Sequence, residues 1–186
     1  MHKAVLISIA VLLQIAVPIW MIHDRETTLR TGTEIIFPVR PVDPADAFRG
    51  RYITLGFSTN LTQTVLPPGL KPGKLWVRYQ VLDGKAVAVS GLAKAPSSEG
   101  VWLKAQIRDL YYGQINRATI DLPFRTFYLN ENIAPAAERL FRSRRWKNVE
   151  AVVRVRNGKA VLAEVLADGK PIADAVRELS AKQKTP

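Results

Sequence analysis

The N-terminal segment from Ala4 to Ile22 is a continuous run of nineteen uncharged, mostly apolar residues. A helix rises about 1.5 Å per residue, so a helix of this length measures roughly 28 Å, close to the ~30 Å apolar core of a bilayer. A cleaved secretory signal has a shorter apolar core and small residues before its cut, whereas this run ends in Trp20, Met21 and Ile22. Residues 1–23 are therefore predicted to form a single transmembrane helix, retained as a signal-anchor.

The residues on either side of the run predict on which side of the membrane the rest of the chain lies. Lys3 precedes the run, and Arg25 and Arg30 follow it. The three-residue N-terminal tail resembles that of a signal-anchor, which predicts an inner-membrane protein whose remaining residues face the periplasm or the cell exterior. The predicted lipid contact is made by residues 4–22, and Gln14 within it is either a tolerated amide or a contact to a partner helix.

Composition excludes several kinds of chemistry. Lysine and arginine total 27 against 16 acidic residues, giving a net charge of +11, which favours anionic headgroups or an acidic partner. Nucleic acid is disfavoured by the predicted membrane location. The chain has no cysteine, and its two histidines, His2 and His23, flank the apolar run. No thiol, histidine-based or phosphate-cradling motif remains, so neither a metal nor a cofactor is predicted.

Beyond residue 34 the hydrophobic period is two. Apolar residues alternate with polar ones, and with Trp76 and Trp102, along residues 75–81, 101–108 and 149–156, which is typical of strands with one buried face. The pairs Asp83-Gly84, Asn157-Gly158 and Asp168-Gly169 predict tight turns, and the proline- and glycine-rich residues 62–73 predict a loop.

Two short helices are also predicted. Residues 134–145 have Pro135 near their start and apolar residues at helical spacing, and residues 172–181 show a weaker pattern. The predicted fold is mainly β, antiparallel and rich in hairpins, with one or two short helices after the transmembrane helix. Residues 24–34 are predicted as a juxtamembrane stem, 35–172 as a single β-rich domain, and 173–186 as a C-terminal tail or short helix.

The segment from Pro41 to Phe57, PVDPADAFRGRYITLGF, is predicted to be a turn that leads into a strand. Asp43 precedes a proline and Asp46 can accept backbone hydrogen bonds, as in turns. Gly50 can adopt backbone angles that side chains disfavour, and alternation begins at Tyr52. These features favour a structural role, and a ligand site that includes Arg51 and Leu55 stays open as the alternative.

The same segment resembles the signature of the GDYXXLXY family of bacterial membrane-anchored proteins. Gly50, Tyr52 and Leu55 match the motif, whereas Arg51 replaces its aspartate and Phe57 its last tyrosine. Residues 111–140 and 152–172 resemble the family's aromatic segment and final hairpin. The resemblance implies a single-span protein without an established activity, which often accompanies multi-pass membrane proteins. A cation-binding or acidic role of the family's aspartate would be lost or reversed at Arg51.

A basic cluster lies around the end of the predicted helix at residues 134–145. Its members are Arg139, Arg142, Arg144, Arg145, Trp146 and Lys147. Cations at a helix C-terminus interact favourably with the helix dipole, which is the ordinary explanation. The alternative is a contact to anionic lipid headgroups or to an acidic partner, with Trp146 as the interfacial aromatic.

Together these features predict a non-enzymatic binding or structural module of the cell envelope that contacts a membrane-protein partner or an anionic surface. A Ser/Lys-type hydrolase is the main alternative, with candidate serines Ser58, Ser90, Ser97 and Ser98 and candidate bases Lys71, Lys74, Lys85 and Lys94. A third possibility is small-ligand binding in a groove of the aromatic-rich region that holds Tyr111, Tyr112, Phe124, Phe127 and Tyr128.

Overall fold

The computed structural model of the protein describes residues 2–42, 52–57, 67–113, 117–130, 132–137 and 146–182. The first element is helix α1, His2–Thr31. Ten strands follow: β1 Thr33–Val42, β2 Tyr52–Phe57, β3 Gly73–Leu82, β4 Lys85–Ala93, β5 Val101–Tyr111, β6 Arg117–Asp121, β7 Thr126–Tyr128, β8 Val149–Arg156, β9 Lys159–Ala167 and β10 Lys170–Pro171. Helix α2, Ile172–Lys182, ends the described chain.

The predicted transmembrane helix is wrong. Within the described residues, no helix combines the length and the apolar character that crossing a membrane requires. The apolar run is not a separate element, because α1 continues unbroken through His23, Asp24 and Glu26 to Thr31 and packs its last turns on β8 and β9. The signal-anchor interpretation depended on that span and is not supported either. Residues 24–31, expected in a stem, belong to α1.

The strands form one sheet, curved into a half-barrel, which bears out the mainly β part of the prediction. Its order is β10-β9-β8-β1-β4-β3-β5-β6, with β2 pairing β1 and β7 beside this path. The described pairings are antiparallel except for β1 with β4, which meet in parallel at Ile36 and Lys85.

The three predicted turns are present at the positions expected from their sequences. Asp83, Asn157 and Asp168 have φ of 48°, 52° and 50°, and the glycine after each also has a positive φ. Two successive residues with positive φ define the hairpin turn whose twist matches that of the flanking strands. The three turns join β3 to β4, β8 to β9 and β9 to β10.

The core lies on the concave side of the sheet. Inward residues of β3, β5 and β8 are buried at every second position, as the period-two pattern predicted. Phe37, Phe57, Tyr79 and Phe124 form an aromatic cluster there, with ring centroids 5.0–5.9 Å apart. Helix α2 adds Ile172, Ala175 and Val176, which are buried at helical spacing against the neighbouring strands.

The predicted helices are found in part. Residues 134–137 are helical, and residues 138–145 of the same prediction lie outside the described residues. The C-terminal helix occurs as α2 and is one residue longer than predicted. Residues 67–72 form the irregular segment expected from their prolines and glycines, and the predicted loop residues 62–66 are outside the described ranges.

Candidate functional site

The first part of α1 exposes apolar side chains on all its faces. The exposed fractions of Val11, Leu12, Leu13, Val17 and Met21 are 47%, 67%, 62%, 53% and 57%, and these positions lie around the whole helix circumference. Exposure continues to Ile22, at 68%. The described domain therefore leaves most of this part uncovered, and we call it the apolar segment of α1 (residues 5–22).

The last turns of α1, in contrast, are docked on the sheet. Thr28 is 1% exposed, and its hydroxyl donates to the Asp24 carbonyl at 2.9 Å. Asp24 pairs with Lys159 of β9 at 2.6 Å. At Gly32, which follows the helix, an added Cβ would lie 2.4 Å from the Thr28 carbonyl oxygen and 3.0 Å from the Val155 nitrogen. The close approach requires glycine there and holds the helix end tightly against β8.

The β8–β9 turn joins this helix end to the outer face of β3 and β5. Lys159 Nζ lies 5.5 Å from the ring centroid of Trp20 on α1. The preceding Gly158 accepts a hydrogen bond from the Lys104 backbone N–H at 2.9 Å. Gly158 also packs against Trp76 so closely that a Cβ there would lie 2.0 Å from the ring. The turn thus bridges α1 and the tryptophan-bearing face.

Cations and tryptophans alternate on that outer face. Lys104 Nζ lies 4.8 Å above the Trp76 ring, and the Arg78 guanidinium lies 5.7 Å from the Trp102 ring. Trp76 pairs with Lys104 and Arg78 with Trp102 across β3 and β5, so each contact joins cross-strand neighbours. These are cation–π contacts. The tryptophan–cation cluster, as we call it, consists of Trp20, Trp76, Arg78, Trp102, Lys104 and Lys159.

Two clefts flank Trp76. One of about 450 Å³ is lined by Thr33, Trp76, Pro96, Gly100, Val101, Trp102, Val155, Asn157 and Gly158. The other, of about 600 Å³, lies toward β6 and is lined by residues that include Lys74, Lys104, Gln106 and Asp121. Asp121 pairs with Arg108 and with Arg125. The 450 Å³ cleft is close to the C-terminal end of α1, because Thr33 lines it and α1 ends at Thr31.

Most of the motif residues predicted as a site are not described. Asp43, Asp46, Gly50 and Arg51 lie outside the described residues. Tyr52 begins β2, where its backbone pairs with Tyr128 of β7. Leu55 is fully buried, and its N–H donates to the Arg125 carbonyl at 2.8 Å. The described end of the motif thus lies within the sheet and the core.

The predicted basic cluster is described only at its end. Arg139, Arg142, Arg144 and Arg145 lie outside the described residues. Trp146 is half-buried and packs against the core. The Lys147 N–H donates to Asp168 Oδ1 at 3.1 Å, which fixes the start of β8 against the β9–β10 turn. Gln14, the predicted partner contact, is exposed on the apolar segment of α1.

The hydrolase hypothesis required a serine and a lysine close together. Ser90 Oγ instead accepts from Arg78 Nε at 3.0 Å, and the Ser97 hydroxyl donates to the Glu99 carbonyl. Lys85 pairs with Glu150 at 2.6 Å. Among the described side chains, no hydrogen bond joins a serine to a lysine, and Ser58 lies outside them. In the same described part, no three acidic or histidine side chains gather as metal ligands.

One buried polar group stands apart from these surfaces. Tyr79 is 5% exposed, and in the described part of the chain its hydroxyl has no hydrogen-bond partner. Burial raises the pKa of this phenol well above its usual range, because ionisation would place a charge in the aromatic core. The ring of Tyr79 packs against that of Phe37 in the core, so we assign Tyr79 to packing of the core.

Comparison with known proteins places the chain by its sequence. Residues 14–165 match the family described as GDYXXLXY protein. The chain belongs to the GDYXXLXY family. The match extends from the apolar segment of α1 into β9, so it covers most of the described elements of this GDYXXLXY protein. Searches of curated proteins and of solved structures gave no match.

Sequence reasoning did not identify the tryptophan–cation cluster as a site. The signal was present in the alternation, because Trp76 and Trp102 fall on the outward positions of their strands, where polar residues are usual. The contribution of Trp20 and Lys159 could not be read from the sequence, since it depends on how α1 packs on the β8–β9 turn.

Proposed function

We propose that this GDYXXLXY protein is a non-enzymatic module of the cell envelope that is attached to a membrane through the apolar segment of α1. The proposed location is the periplasmic side of the inner membrane, where the β domain would contact a membrane-protein partner or an anionic surface. The observation that carries the proposal is the exposure of apolar side chains on every face of that segment.

Lipid is the occupant that fits this surface best. Contact of apolar surface with water costs about 25 cal/mol per Å², so the segment requires a cover. A second copy of the chain would cover one face of the helix and leave the others exposed, whereas acyl chains are fluid and adapt to whichever faces the helix presents to them. Gln14 then provides an amide that can bond to a neighbouring helix, a contact worth about 0.6–2 kcal/mol in lipid.

A binding role is favoured over hydrolysis by the side chains of the domain. It has no cysteine and no histidine, and Ser90 is engaged by Arg78. The cations that mark its outer face are held over tryptophan rings, an arrangement suited to contact with anionic groups. These observations support contact with a charged partner rather than transfer of an acyl group.

Flotation with neutral phosphatidylcholine vesicles tests the attachment. The full-length chain, diluted from detergent, is expected to float with the vesicles, and a Leu13→Lys/Val17→Lys variant is expected to stay at the bottom. Each lysine removes apolar surface from the contact with lipid and adds a charge that acyl chains do not solvate. The control is Leu82→Lys/Val87→Lys, which replaces two exposed apolar residues of the domain and should float normally.

Two results would contradict the attachment: flotation of the Leu13→Lys/Val17→Lys variant at the level of the original chain, or an original chain that forms soluble oligomers and ignores vesicles. The partner is tested separately by crosslinking in intact membranes. Recovery of lipid adducts alone, without any protein adduct, would exclude a protein partner.

A further inference from the structure

The tryptophan–cation cluster lies where the apolar segment of α1 ends. Trp20 is two residues before Ile22, and Asp24 is two residues after it. Lys159 contacts both, with its Nζ 5.5 Å from the Trp20 ring and 2.6 Å from Asp24 Oδ2. The β8–β9 turn is therefore level with the boundary between the apolar and the polar parts of the helix.

The position of that boundary in the membrane determines the depth at which the whole cluster would lie. If the apolar segment lies in the acyl-chain region, as proposed above, the boundary lies among the headgroups. Gly158 contacts Trp76, and the 450 Å³ cleft places Trp102 and Thr33 beside the same turn. Three of the four tryptophans of the chain thus gather at the headgroup level, where this residue type is enriched in membrane proteins.

Two of the three cations of the cluster, Arg78 and Lys104, form no ion pair with a described side chain, whereas Lys159 pairs with Asp24. Arg78 and Lys104 lie over tryptophan rings. Trp102 is held in place because its indole N–H donates to the Glu99 carbonyl at 2.8 Å. The Arg78 guanidinium lies over this ring and donates to Ser90 Oγ, so both groups are held in place. The side of the guanidinium that faces away from the ring can then contact an anion.

We propose that the tryptophan–cation cluster binds the headgroups of anionic phospholipids beside α1, with Arg78 and Lys104 as the cations that contact the phosphate. The proposal rests on the proposed membrane attachment, because the adjacency to α1 is what selects lipid over other anions. The cations bind the phosphate, and the tryptophan rings lie in the interfacial layer with their apolar bodies toward the acyl chains.

The experiment compares binding of the full-length chain to neutral vesicles and to vesicles with about one-third phosphatidylglycerol. The original chain is expected to prefer the anionic vesicles. An Arg78→Gln/Lys104→Gln variant should lose at least about tenfold of that preference, because each cation near an anionic surface contributes about fivefold. Its binding to neutral vesicles, which depends on α1, should be unchanged.

Two matched variants separate the site from net charge and from folding. Lys170→Gln/Arg177→Gln removes two exposed cations on β10 and α2, so it has the same net charge but should keep the preference. Arg78→Lys/Lys104→Arg keeps both charges and should also keep it. If Arg78→Gln/Lys104→Gln were misfolded, its neutral-vesicle binding and circular dichroism would change. The single variant Lys104→Gln, which should lose part of the preference, is then compared with Lys170→Gln, which should keep it.

The outcomes distinguish this inference from the proposed function. Binding to neutral vesicles without any preference for anionic ones overturns the headgroup site and leaves the attachment standing. Equal loss in the Arg78/Lys104 and Lys170/Arg177 variants also overturns it, because net charge would then suffice. Tighter binding to dextran sulfate than to anionic vesicles would point to a soluble polyanion and overturn it as well. Failure to bind any vesicle would refute both proposals.

Discussion

At the scale of single residues, the described core of this protein contains one buried polar group that lowers the stability of the fold, the hydroxyl of Tyr79. Tyr79 places a hydroxyl in the core beside the aromatic cluster, and no described residue satisfies it. A buried polar group without a partner costs about 1–3 kcal/mol, whereas its apolar analogue of similar shape costs nothing comparable. The ring of Tyr79, in contrast, stabilises the core, since it packs edge-on against Phe37 with ring centroids 5.0 Å apart.

Replacement of Tyr79 by phenylalanine is therefore expected to leave stability unchanged or to raise it by about 1 kcal/mol at pH 7. The gain should grow above pH 10. The raised pKa keeps the folded phenol protonated while the unfolded phenol ionises, so the original chain loses stability as pH rises and Tyr79→Phe does not. Urea unfolding of the full chain in non-ionic detergent at pH 7 and pH 11 measures both effects. A loss above about 1 kcal/mol at pH 7 would show that the hydroxyl has a partner.

At the scale of elements, the β8–β9 hairpin does more than connect two strands. Its turn has the same backbone geometry as the β9–β10 turn, with φ of +74° at Gly158 and +81° at Gly169. The surroundings differ, because Gly158 touches Trp76 whereas nothing lies within 4 Å of a Cβ built at Gly169. The two glycines are thus a matched pair for separating turn geometry from packing.

Gly158→Ala is expected to destabilise the protein by more than Gly169→Ala. Both alanines carry the cost of a positive φ, roughly 1–2 kcal/mol. Only Gly158→Ala must also displace the Trp76 ring, which should add about 1–3 kcal/mol and change the tryptophan fluorescence. Urea unfolding and emission spectra of the two variants test this. Equal losses of stability with unchanged spectra would mean that Trp76 does not pack on the turn.

The elements also show how far sequence reasoning reaches. Local patterns predicted β3, β5, β8 and the three tight turns, because alternation and Asp-Gly or Asn-Gly pairs act over a few residues. The transmembrane prediction failed because α1 continues past the apolar run onto β8 and β9. The tryptophan–cation cluster was missed since it joins Trp20, Trp76, Trp102 and Lys159, which are far apart in sequence.

At the scale of the whole molecule, positively charged side chains lie next to the exposed apolar surface. The net charge is +11, and cations of the outer face lie next to the end of the apolar segment of α1. The docked turns from Asp24 to Thr31 connect that segment firmly to the sheet through Thr28 and Gly32. The central proposal is therefore that a membrane contacts the α1 end of the domain and leaves the opposite end in water.

Spin labels on single cysteines test that claim most directly, and the chain has no cysteine of its own to interfere. Ser98→Cys places a label beside the cleft at the α1 end, and Lys170→Cys places one beyond the far end of β9, roughly 26 Å from Lys159. On anionic vesicles, the label at residue 98 should be shielded from a water-soluble nickel relaxant and accessible to oxygen, and the label at residue 170 should show the reverse. Equal exposure of both labels to the nickel relaxant would contradict the account.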